Sequence, residues 1–101
     1  MGLRAARAAT IEALRTGNFD HEVGETRAEK NLLAIGGVSL DEVIDLLRRS
    51  RGDDYRESPH HWDRTVSVHV FTPQVDGHRW YIKVYFIDGF GETATFISAH
   101  R

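Results

Sequence analysis

Cysteine is absent from the 101 residues, which rules out a disulfide framework and any zinc site built on thiolates. A chain without cysteine fits a reducing compartment, and the cytoplasm is the expected location. No apolar stretch approaches the roughly 18 residues of a membrane span, so no membrane partner is expected. A basic surplus is missing too: 13 Lys and Arg stand against 15 Asp and Glu, a formal net charge of −2. Nucleic-acid-binding domains usually carry such a surplus, so that role would need a local cationic face. There is no internal repeat and no low-complexity tract. Zinc-protease and zinc-finger spacings are absent, and Gly36-Gly37 is no phosphate loop, since no strand feeds it and no Gly-Lys-Ser follows. Ser67 has no nucleophile-elbow context. No metal or cofactor is expected.

What remains is an ordinary globular composition, 41% hydrophobic and 28% charged, at the length of one domain spanning residues 1–101. The N-terminal MGLRAARAATIEAL is rich in Arg and Ala, as transit peptides are. Glu12 and the helical spacing of its apolar residues assign it to the fold instead. Leu3, Ala6, Thr10, Ile11 and Leu14 share one side, predicting a helix over Leu3 to Arg15 with Gly17 as its stop. Thr26-Arg27-Ala28-Glu29 fits a capping box before Leu32, Leu33 and Ile35, and Gly36-Gly37 ends that segment. Ser39-Leu40-Asp41-Glu42 is a second capping box, with Val38 and Val43 as its hydrophobic staple. Leu40, Val43, Ile44 and Leu47 then form an apolar stripe, closed by Arg48, Arg49 and Arg51 before Gly52.

After Pro59 the period becomes two. Thr65 to Thr72 alternates Val66, Val68 and Val70 against Ser67, His69 and Phe71. Trp80 to Asp88 alternates Trp80, Ile82, Val84 and Phe86 against Tyr81, Lys83, Tyr85 and Ile87. A third run, Thr93 to Ala99, follows a Gly89-Phe90-Gly91 turn. Its inward side is open, because Thr93/Thr95/Ile97 and Ala94/Phe96/Ser98 are both partly apolar. The reading is α+β, with N-terminal helices packed on one face of a C-terminal antiparallel sheet.

A two-residue Asp76-Gly77 turn would set Val70 opposite Lys83 and put a charge on the valine side. A three-residue Val75-Asp76-Gly77 turn pairs Gln74 with His78, Val70 with Ile82 and Val68 with Val84, and is therefore expected. The other face would then gather Ser67, His69, Tyr81, Lys83 and Tyr85. A histidine exchanges protons near neutral pH, a cation holds a phosphate, and a tyrosine stacks on a base. Those are the groups that RNA cleavage by its own 2′-hydroxyl needs. A plain solvated sheet surface has similar residues, because Tyr and Thr favour strands. His60 and His61 are expected as exposed loop residues. Arg56 either faces a phosphate or pairs with nearby carboxylates, and Arg4, Arg7 and Arg15 form a solvated face.

In order along the chain, Thr26-Arg27, the Val38 to Leu47 helix, Asp54-Tyr55-Arg56-Glu57-Ser58, Val70-Phe71-Thr72-Pro73 and Trp80-Tyr81-Ile82-Lys83 resemble segments of the MqsR-type toxins. The Pro73 to Tyr81 spacing is also similar, and the likeness runs from about Thr26 to the end of the sequence. It implies a RelE-like fold and a metal-independent endoribonuclease, the growth-inhibiting toxin of a type II toxin–antitoxin pair. The implied partners are single-stranded mRNA and a cognate antitoxin protein. Tyr81 matches an active-site tyrosine, and Arg56 stands for a functional lysine, keeping the charge with a different geometry. The family's strand glutamine falls near Val68, so its role is lost or passes to His69. A lysine near the family's C-terminus is replaced by His100. On this reading Arg56 and Lys83 hold the scissile phosphate, His69 or His100 exchanges protons, and Tyr81 orients or stacks on the RNA. The alternatives are a non-catalytic binding or regulatory module of the same fold, and an mRNA interferase acting only in association with the ribosome.

Overall fold

The computed structural model describes residues 2–22, 31–87 and 93–101. Helix α1 is Leu3–Thr16, stopped by Gly17, whose φ of +77° supplies the left-handed cap. It buries Ala6, Thr10, Ala13 and Leu14. Thr10 is accommodated because its Oγ1 donates to the Ala6 carbonyl at 2.7 Å. Strand β1, Phe19–His21, and the single turn α2, Leu32–Ile35, follow. Helix α3, Leu40–Arg49, opens with the predicted capping box. Glu42 N–H donates to Ser39 Oγ at 3.1 Å, and Ser39 N–H donates to Glu42 Oε1 at 3.2 Å. Val38 and Val43 are both buried, as a staple requires. The inward stripe is Val43, Ile44, Leu46 and Leu47, whereas Leu40 is exposed. Arg7 is not merely solvated: its Nη1 donates to the Ser50 carbonyl at 2.7 Å and covers the end of α3.

A 3₁₀ turn at Gly52–Asp54 leads into strands β2 (Tyr55–Pro59), β3 (Ser67–Phe71), β4 (Gln74–Val75), β5 (His78–Arg79), β6 (Tyr81–Phe86) and β7 (Ala94–His100). Five of the strands form one sheet in the order β1-β7-β6-β3-β2. β1 runs parallel to β7 and the other neighbours are antiparallel. The fold is α+β, but the sheet is mixed and wider than the three expected strands. β1 lies between two helical segments, and β2 lies ahead of the first expected strand, which was placed after Pro59. The Thr26–Glu29 capping box and the Gly89–Gly91 turn lie outside the described residues.

The expected register is overturned. Asp76 and Gly77 have φ of +53° and +80°, both left-handed, as a two-residue type I′ turn demands. Val75 pairs with His78 and Gln74 with Arg79, and the ladder continues as Phe71–Ile82, Val70–Lys83 and His69–Val84. The pairings of Val70 with Ile82, Val68 with Val84 and His69 with Lys83 do not form. The three-residue turn was favoured to keep Lys83 off a hidden valine side. That side is not the one the helices cover. Phe71, Ile82, Val84, Phe86, Ala94 and Phe96 pack against helix residues including Leu14, Val43 and Leu47. Val68 and Val70 belong to the outer face, where a charge can reach solvent.

Strand β7 slips by one residue against β6, pairing Ser98 with Lys83 but Phe96 with Val84. Ala94, Phe96 and Ala99 therefore share the helix side, while Thr95, Ser98 and His100 look outward. Neither alternating set stays on one side throughout, because the bulge at Ile97 changes the phase.

Candidate functional site

Four of the five sequence-derived site residues come together on the outer face. Arg56 stands opposite Val70, Val70 opposite Lys83, and Lys83 opposite Ser98. Two interstrand spacings put the roots of Arg56 and Lys83 roughly 10 Å apart. Val70, only 1% exposed, lies between them and with Val68 floors a groove of about 220 Å³. Among the described residues, neither cation is ion-paired with a carboxylate. Two long cationic side chains rooted on either side of a small apolar floor can close on one phosphate.

One row along the strands, Tyr81 pairs with His100, their rings 5.5 Å apart and 23° from parallel. His100 Nδ1 lies 2.9 Å from the backbone oxygen of Arg101. That oxygen only accepts, so Nδ1 carries the hydrogen and Nε2 of the neutral ring keeps its lone pair for other chemistry.

The opposite end of the groove is built by the loop between β2 and β3. His60 is not the exposed loop residue expected. Its Nδ1 accepts from the N–H groups of Trp62 and Asp63 at 3.2 and 3.3 Å. The ring hydrogen is then on Nε2, which donates to Glu22 Oε2 at 2.8 Å. Both side chains are more than nine-tenths buried. Tyr85 meets the His60 ring edge-on at 5.2 Å. Burial, with the Glu22 carboxylate beside it, holds the Tyr85 hydroxyl pKa above its usual value. His61 is exposed and lines the groove. Glu22 was missed from the sequence, since its partner is 38 residues away and no local pattern marks the pair.

His69 does not join this site. Pairing with Val84 turns it to the helix side, where it is 4% exposed. Its Nδ1 lies 2.8 Å from the Tyr55 hydroxyl, and that hydroxyl donates to Glu57 Oε1 at 3.0 Å. The carboxylate only accepts, so the His69 Nδ1–H donates to the phenol oxygen. Burial pushes the His69 pKa down, with the Glu57 carboxylate opposing it. The placement beside Lys83 and Tyr81 followed from the three-residue turn, and it fails with that turn.

A larger cleft of about 460 Å³ lies between α3 and the β4–β5 hairpin. Glu42, Asp45 and Asp76 line it, and the Arg101 guanidinium sits 4.9 Å over the Trp80 ring. Three carboxylates make it a poor seat for a polyanion. Among the described residues, no group of three or more His, Asp or Glu side chains is arranged to hold a metal ion. No described helix is long and apolar enough to cross a membrane. Compared with known proteins, the sequence matches no family model and no curated protein.

Proposed function

We propose that the chain is an endoribonuclease toxin with a RelE-like fold of the MqsR type, cleaving single-stranded mRNA on the outer face of its sheet. The observation that carries this reading is the Arg56–Val70–Lys83 row beside the Tyr81–His100 pair. Arg56 and Lys83 hold the scissile phosphate and neutralise the charge that grows on it. His100 Nε2 takes the proton of the 2′-hydroxyl. The 2′-oxygen attacks phosphorus, the bond to the 5′-oxygen breaks, and a 2′,3′-cyclic phosphate forms. The Tyr81 hydroxyl gives its proton to the departing 5′-oxygen and is restored from solvent. His69 has no part, and proton exchange rests on His100. A cognate antitoxin would neutralise the protein by covering this face, and the cytoplasm is its place of action.

The test is incubation of purified protein with a long single-stranded RNA in EDTA. Fragments ending in cyclic phosphate are expected, and they should be lost in Lys83→Ala and His100→Ala while folding is kept. Intact RNA would overturn the proposal. One observation favours the non-catalytic binding module: Val68 stands near the position of the family's strand glutamine, on the groove floor. Tight RNA binding without cuts would select that reading. Cutting only with ribosomes present would select the ribosome-dependent one.

A further inference from the structure

The loop between β2 and β3 holds the chain's most exposed tryptophan against its most tightly fixed histidine. Trp62 is 59% exposed, and its ring centroid lies 4.5 Å from that of His61. His61 in turn stacks on His60 at 5.2 Å, with the planes 10° apart. Beneath it, His60 is fixed by Glu22, by two backbone N–H groups and by the Tyr85 ring. A buried hydrogen-bonded network thus supports two exposed rings. Fixing side chains in this way costs conformational entropy that an ordinary surface loop would keep.

The position of these rings on the sheet gives them a use. Tyr81, Lys83 and Tyr85 are same-face residues of β6, each step about 6.7 Å. The Tyr81–His100 pair lies at one end, the Arg56–Lys83 row in the middle, and the His60–His61–Trp62 ledge, reached through Tyr85, at the other. A nucleic-acid strand has the same order, because a phosphate separates each base from the next. We infer that the His61–Trp62 ledge is a second base-stacking subsite, so that single-stranded RNA binds with one base on Tyr81–His100 and another on Trp62. This rests on the proposed RNA-cleaving function and adds a residue whose role is binding alone. The match of apolar ring faces beside cations that form no ion pair among the described residues favours a nucleobase as occupant over a protein side chain.

The probe is a short single-stranded RNA methylated at every 2′-oxygen, which cannot be cut by attack of that oxygen. Titrated into the full chain at low salt, it should quench the tryptophan emission, since Trp80 is buried beneath Arg101 and Trp62 is not. Trp62→Ala should weaken binding about tenfold, and Trp62→Phe should restore most of it. The dependence on salt should be the same in all three proteins, because the phosphate contacts are untouched. If the wild-type chain binds while Trp62→Ala binds as tightly, the ledge is not a base subsite, though the groove reading survives. Absence of wild-type binding would overturn both.

Discussion

At the scale of single residues, the two histidines of β3 and β7 are separated by the plane of the sheet. His100 sits beside Tyr81 on the outer face, and His69 sits under the helices with Tyr55. His69→Gln should therefore leave RNA cleavage near the wild-type rate, whereas His100→Ala should abolish it, as a gel assay at fixed protein concentration would register. His69 instead makes stability depend on pH. Its folded pKa lies below the ordinary 6.5, so the unfolded chain takes up the proton more readily. The stability it contributes is complete above pH 6.5 and is lost as pH falls toward the folded value. His21, also lowered by burial with Asp20 opposing, acts in the same direction. Thermal midpoints measured from pH 7.5 down to pH 5 should fall, and His69→Gln should flatten that fall.

At the scale of elements, local chemistry proved readable and pairing did not. The Ser39–Glu42 box and the Gly17 stop involve residues within one turn of each other, and both stand where the spacing put them. Strand β2 escaped because its outward residues, Arg56 and Ser58, and its inward Glu57 are all polar, so alternation leaves no apolar signal. The β3–β6 register depended on which side of the valines the helices would take, a matter of tertiary packing. Two substitutions test this account. Gly77→Ala places a side chain at φ +80° and should cost about 1–2 kcal/mol in urea unfolding. Ser39→Ala removes the cap of α3 and should cost about 1 kcal/mol. Of the candidate site, Tyr81 and Lys83 were legible on a shared alternation, whereas Arg56 was read only as a cation ahead of the expected sheet and His100 only through the resemblance. The Glu22–His60 bond was not legible, since its partners come from opposite ends of the sheet order.

At the scale of the whole molecule, that bond connects the parallel edge strand β1 to the loop joining β2 and β3. Glu22→Ala leaves the buried His60 Nε2–H without its acceptor and should lower stability by roughly 1–3 kcal/mol. It should also release the ledge, so RNA affinity should drop even under conditions where the variant is fully folded. Binding by Glu22→Ala equal to wild type would show that the loop holds its shape without the anchor.

The bulge in β7 gives the outer face an unusual dependence on chain length. Beyond Ile97 every outward position is set by one supernumerary residue, so the strand works as a phase shifter for its last turn of alternation. Excising Ile97 would only remove the bulge and keep His100 outward, whereas inserting one residue between Ser98 and Ala99 would turn His100 toward the helices and expose Ala99, with the residues upstream left in place. Such an insertion variant, folded but silent toward RNA, would show that the spacing of β7 is as much a determinant of the chemistry as the identity of any side chain on it.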